Sequence, residues 1–112
     1  MDTDKVYIEH IIEAIDAIRD YSKDLTRDTL KDAEHRMAKD AIVRELEIIG
    51  EASKNLSDEF KEKEEGTPWR AVVAMRNNLI HEYFGIDLED VWDTVQNDLP
   101  KLKISLKKYL VN

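Results

Sequence analysis

Five isoleucines near the start of the chain recur at helical spacing. Ile8, Ile11, Ile12, Ile15 and Ile18 place one apolar stripe along a segment predicted to be helical over residues 4–25. A second stripe, Ala38, Ala41, Ile42, Ile49, Ala52 and Leu56, predicts a long helix over 29–56, with Thr29 and Asp32 as its capping start. Gly50 interrupts that helix at a cost of about 1 kcal/mol against alanine, so close approach of a neighbouring helix is the expected reason for it. Ser57 caps a short helix that stops at Gly66. Thr67-Pro68 then starts another over 68–83, with Pro68 at the first helical position and Gly85 as its C-terminal cap. Asp87 opens a helix whose Leu88, Val91, Trp92 and Val95 face inward, and Pro100 starts or kinks a last one carrying Leu102, Leu106, Tyr109 and Leu110.

No segment shows strand alternation, and the chain holds only 3 Gly and 2 Pro. The expected class is therefore all-α, an up-and-down bundle of four or more helices joined by short loops. With 112 residues, one domain over 1–112 is expected. No apolar run approaches the roughly 20 residues that span a bilayer. The N-terminal MDTDKVYIEH lacks the basic and apolar regions of a signal peptide, and there is no cysteine, so a cytoplasmic location without membrane attachment is expected.

The net charge of −8 argues against nucleic-acid binding over the whole surface. It is unevenly placed: residues 100–112 carry +4 and residues 1–99 carry −12. The four C-terminal lysines form either a solvated helix face or a local phosphate-contacting patch.

The stretch RNNLIHEYF, residues 76–84, carries the functional argument. On a helical wheel, Trp69, Val72, Val73, Leu79, Ile80 and Tyr83 all fall within about 60° of Arg76, so the guanidinium lies at the centre of the apolar stripe. An unpaired buried guanidinium would cost several kcal/mol. Arg76 either pairs with an acid of the second helix, Glu45 or Glu51, or borders a wet pocket. His81 lies about 140° from Arg76, on a flank shared with Arg70 and Asn77. A histidine at a helix C-terminus ordinarily just favours the helix dipole, and a tyrosine on the stripe is ordinarily core. Together, a fixed cation, a group titrating near neutrality and a phenol within two turns are parts for chemistry on a phosphodiester.

Arg76-Asn-Asn-Leu-Ile-His81-Glu-Tyr83 resembles the R-x4-H-x-Y motif of HepT-like toxins in the HEPN superfamily. AIVRELEIIGEASKNLS (41–57), PWRAVVAMRNNLIHEYFGIDLEDVW (68–92) and DLP (98–100) are similar to further blocks of that family. Glu82 departs from the small residue common there, and Glu45 from a frequent Asn. The resemblance implies a HEPN helical bundle that forms a two-fold homodimer with its motifs facing across a cleft. It further implies a metal-independent ribonuclease toxin, whose MntA-type nucleotidyltransferase antitoxin transfers AMP from ATP to the motif tyrosine, here Tyr83.

The residues fit that implication. His81 can move a proton between the RNA 2′-hydroxyl and the leaving oxygen, while Arg76 holds the phosphate. Asn77, Arg70, Glu51 and Glu45 are the supporting candidates. His10, His35 and His81 show no ligand cluster in the sequence, so no metal and no cofactor are expected. The alternative is a non-catalytic HEPN binding module that dimerises and engages a nucleotidyltransferase or a nucleotide, which the acidic charge favours. A plain structural bundle with a buried Arg–Glu pair is the third reading.

Overall fold

In a computed structural model, residues 2–70, 72–73 and 87–110 are described. The described residues contain no strand, and the class is all-α. Helix α1 spans Asp2–Ser22 and α2 spans Arg36–Lys54. Two 3-10 turns, Thr29–Lys31 and Ala33–His35, lie between them. Helix α3 is Asp58–Lys63. Residues 69, 70, 72 and 73 are helical. Helix α4, Leu88–Asp93, continues through a π-helical turn, Thr94–Asp98, into α5, Leu99–Lys107.

The apolar stripes meet in one core. Ile8, Ile11 and Ile18 of α1 face Ile42, Leu46 and Ile49 of α2, all at most 2% exposed. α1 packs on both α2 and α5, which adds Leu99, Leu102 and Leu106. Long-range contacts set the directions. Asp4, at the start of α1, bonds Ser57, just past the end of α2, so these two helices run antiparallel. At the opposite end, Arg27 and Lys31 of the α1–α2 connection pair with Asp93 and Glu89 of α4, at 2.7 and 3.4 Å. The α4–α5 rod therefore leaves from that end and returns to the Ser57 end, which is up-and-down packing.

Helix ends follow from side chains. The Ser57 hydroxyl accepts the Phe60 N–H at 3.1 Å, and Asp87 accepts those of Glu89 and Asp90, so both expected caps form. The second helix starts later than expected, at Arg36 rather than Thr29. The Thr29 hydroxyl accepts from Thr26 N–H at 2.7 Å, while the Thr26 hydroxyl accepts from Thr29 N–H at 3.1 Å. This reciprocal pair starts a 3-10 turn, and the extended Asp32 (φ −72°, ψ 140°) then breaks the helical path. The last helix starts at Leu99 with Pro100 in its first turn, as expected, and no sharp break precedes it. The proline's missing N–H and its ring, which would clash with the carbonyl four residues back, are accommodated by the wider turn ahead of it. There the Leu99 N–H reaches the Thr94 carbonyl, five residues back. The first helix ends at Ser22, and Leu25 enters the core from the loop instead. Gly50 is buried on α2.

Candidate functional site

The segment expected to carry the chemistry begins at a well-defined anchor. Trp69 is 8% exposed, its indole N–H donates to the Glu64 carbonyl at 3.2 Å, and the Val72 N–H bonds the Pro68 carbonyl at 3.1 Å. Val72 and Val73 are half-buried and Arg70 is exposed. The inward face of this first turn is thus the apolar one read from the wheel, and Arg70 lies on the other side. Arg76, Asn77, His81, Tyr83 and the Gly85 cap lie outside the described residues.

The two candidate acids of α2 differ in setting. Glu45 is half-buried at the edge of the stripe formed by Ile42, Leu46 and Ile49, and it makes no ion pair among the described residues. Glu51 is exposed and lines a groove of about 220 Å³ between α1 and α2. Tyr7, His10, Arg44, Glu47 and Asn55 complete the polar lining. In that groove the Tyr7 and His10 rings meet edge to face at 6.3 Å, and Arg44 pairs with Glu47 at 3.4 Å. Glu51 thus faces the groove from the exposed side of α2, while Glu45 sits at the border of the buried stripe.

The C-terminal lysines divide. Lys103 pairs with Asp16 at 2.5 Å and Lys108 with Glu64 at 2.9 Å, so half of the positive tail is neutralised by acids of the same chain. Lys101 and Lys107 are exposed without an ion pair among the described residues. A compact phosphate-binding patch of four free cations is not what the helix presents.

Around Glu64 lies an arrangement that the local sequence does not reveal. Its carboxylate accepts the Tyr109 hydroxyl and pairs with Lys108. The Tyr109 hydrogen bond first, then that from Lys108, holds the Glu64 carboxyl below its usual range, and the same bond raises the Tyr109 phenol. The Phe60 ring stands 4.8 Å from Tyr109 and 6.1 Å from Trp69. Tyr109 was legible only as an inward residue of the last helix. Its partner lies 45 residues away, beyond any periodicity signal.

The connection between α1 and α2 gathers three side chains of metal-ligating type. Asp32, Glu34 and His35 place ligand atoms within 4.8 Å of one another. The 3-10 turn brings Asp32 and His35, three residues apart, onto one side. Asp32 and Glu34 are exposed, and His35 already pairs with Glu34 at 3.7 Å, so the cluster reads as a solvated turn. Among the described residues, no helix is long and apolar enough to cross a membrane.

Comparison with known proteins agrees with the motif. Residues 11–109 match the HepT-like family, described as "Ribonuclease HepT-like". The chain is 43% identical to "Probable ribonuclease HepT" of Thermococcus cleftensis, over 93% of each chain. It is 40% identical to a candidate RNase of Caldanaerobacter subterraneus subsp. tengcongensis, over 98% of this chain and 96% of that one. It is also 44% identical, over 95% of its length, to a Methanocaldococcus jannaschii protein named as a gamma-glutamylcyclotransferase and candidate RNase, of which it spans 47%. No solved structure is matched significantly. With residues 11–109 matched and full-length relatives at 43% and 40% identity, the chain belongs to the HepT-like ribonuclease family.

Proposed function

We propose that this protein is a metal-independent endoribonuclease toxin, silenced by transfer of AMP to Tyr83 from an MntA-type nucleotidyltransferase. The observation that carries the reading is the spacing of Arg76, His81 and Tyr83 inside the stretch that matches the family. The chemistry needs little beyond these groups. His81 takes the proton of the RNA 2′-hydroxyl, whose oxygen attacks the adjacent phosphorus. The bond to the 5′-oxygen breaks, and that oxygen leaves with a proton supplied by an imidazolium. A 2′,3′-cyclic phosphate and a free 5′-hydroxyl result. A histidine pKa near 6.5 suits both proton transfers at neutral pH. Arg76 holds the phosphate and offsets the charge that develops on it.

Two copies of the motif across a two-fold axis would surround one phosphodiester. This accommodates the roughly 140° between Arg76 and His81 on a single helix. In silencing, the Tyr83 oxygen attacks the α-phosphorus of ATP and pyrophosphate leaves. The tyrosyl-AMP adds bulk and negative charge, which would repel the RNA backbone.

The test is cleavage of total RNA by the purified protein with and without EDTA, beside Arg76→Ala and His81→Ala. Wild-type cleavage insensitive to EDTA and loss in both folded variants is the expected result. Cleavage by His81→Ala at the wild-type rate would remove the acid–base role. The second reading, a non-catalytic binding module, is favoured by the −12 charge of residues 1–99 and by the pairing of Lys103 and Lys108 with acids. It predicts RNA left intact by wild-type protein that still binds its nucleotidyltransferase.

A further inference from the structure

We propose that Tyr109 and Glu64 are positioning residues that fix Trp69, the anchor of the stretch that goes on to Arg76 and His81, so that the C-terminal end of the chain tunes the turnover of the site. This inference rests on the ribonuclease reading for its catalytic part. The structural basis is a closed circuit of four residues drawn from three separate stretches of chain. The Tyr109 hydroxyl, past the end of α5, donates to the Glu64 carboxylate, past the end of α3. The main-chain carbonyl of Glu64 accepts the Trp69 indole N–H at 3.2 Å and the Thr67 N–H at 3.0 Å. Trp69 leans on Phe60 with ring centroids 6.1 Å apart, and Phe60 meets Tyr109 edge to face at 4.8 Å, which closes the circuit.

Each member has two links to the others. Removing one therefore loosens the set without emptying the core. Lys108 adds a second hold on the same carboxylate oxygen, at 2.9 Å, and its side chain stays mostly in solvent. The result is an over-determined position for Trp69, seven residues ahead of Arg76. Neither Tyr109 nor Glu64 needs to touch substrate for this. Catalysis by a fixed guanidinium and a proton-transferring imidazole depends on their placement, and an error of about 1 Å can cost on the order of 100-fold in rate.

Tyr109→Phe tests the idea, because it keeps the ring against Phe60 and removes only the hydroxyl. RNA cleavage by this variant should lose roughly 10-fold in kcat with KM within about two-fold, since positioning of reacting groups rather than substrate binding is altered. Lys107→Ala, an exposed position at the end of α5, should match wild type. Hydrogen exchange followed by mass spectrometry supplies a readout independent of RNA. Peptides within 69–86 should accelerate several-fold more in Tyr109→Phe than peptides of α1 and α2, whose exchange should rise only by the loss of overall stability. Wild-type exchange across 69–86 overturns the proposal whatever the cleavage result. So does equal acceleration in every peptide, which would give Tyr109 a general structural role, and so does local loosening with unchanged kcat. If wild-type protein cuts no RNA, the ribonuclease reading falls alone, and the exchange pattern still decides whether the circuit positions the segment.

Discussion

Asp4 holds Ser57 through both of its carboxylate oxygens. One accepts the Ser57 backbone N–H at 2.8 Å, and the other accepts the hydroxyl hydrogen at 2.6 Å. That same hydroxyl accepts the Phe60 N–H at 3.1 Å and so caps α3. The serine thus relays between a carboxylate at the start of α1 and the first turn of a helix 53 residues on, and each bond polarises the next.

A double-mutant cycle should expose this coupling. Asp4→Ala and Ser57→Ala should each destabilise by about 1–2 kcal/mol in urea unfolding, as loss of a helix cap does. The double variant should cost clearly less than the sum, because either change dismantles the shared relay. Strict additivity would mean that the cap works without the carboxylate.

Glu64 gives the fold an acid-sensitive contact. Its carboxyl is held below the usual value of 4.5 by the hydrogen bond from Tyr109 and then by Lys108. The unfolded chain binds this proton more readily than the folded one, so the contribution is fully present above about pH 4.5 and is lost as pH falls through the depressed value. Unfolding free energy measured from pH 7 to 3 should therefore fall less steeply in Tyr109→Phe than in wild type. At pH 7 the same variant should be less stable by about 1.5 kcal/mol, the scale of a hydrogen bond to a charged group. Parallel pH curves for the two proteins would show that the bond does not shift Glu64.

What could be read in advance divides along local and non-local physics. The isoleucines of α1 and the caps at Ser57 and Asp87 were legible because period and residue type suffice for them. The start of α2 was not. Thr29 has the right chemistry for a cap, but Thr26 competes for its hydroxyl, and the extended Asp32 delays the helix to Arg36. Pro100 stands in the first turn of the last helix, one of its two expected roles, while the wide turn before it has no local signal. At the site, the Arg76–His81–Tyr83 spacing is visible in sequence. The Tyr109–Glu64 bond is not, since nothing in either stretch names its partner.

Ser53 offers a test of polar burial. It is 0% exposed, and its hydroxyl has no hydrogen-bond partner among the described residues. An unsatisfied buried hydroxyl costs about 1–3 kcal/mol, and an isosteric apolar replacement removes that penalty. Ser53→Ala should accordingly be neutral to stabilising in thermal or urea unfolding. A loss of more than about 1 kcal/mol would reveal a bond made by this hydroxyl.

The shared-cleft form of the proposed mechanism requires two chains. Light scattering at micromolar concentration should give about twice the 13.1 kDa chain mass. A monomer at every concentration, still cutting RNA, would confine the chemistry to one motif.

Tyr83 separates regulation from packing. A tyrosine serving only as a core aromatic would lose about 1 kcal/mol on replacement by Phe, and then only if its hydroxyl were hydrogen-bonded. The proposed silencing makes a different demand, because the phenolic oxygen is the atom that receives AMP. The ring falls on the apolar stripe of the wheel, and an aromatic side chain can rest its body on apolar neighbours while its polar tip meets water. Wild-type protein co-expressed with the nucleotidyltransferase and ATP should gain mass in units of one AMP and lose its RNA cleavage. Tyr83→Phe should fold, should gain no mass, and should keep cutting RNA in the presence of the transferase. Three other tyrosines provide the internal control. Tyr109 donates its hydroxyl hydrogen to Glu64 and has its phenol pKa raised, which makes it a poor nucleophile. Tyr21 is exposed and Tyr7 half-buried, so both are accessible to an indiscriminate enzyme. AMP mapped to Tyr7 or Tyr21 with Tyr83 unmodified would detach the silencing step from the motif and leave Tyr83 as a packing residue.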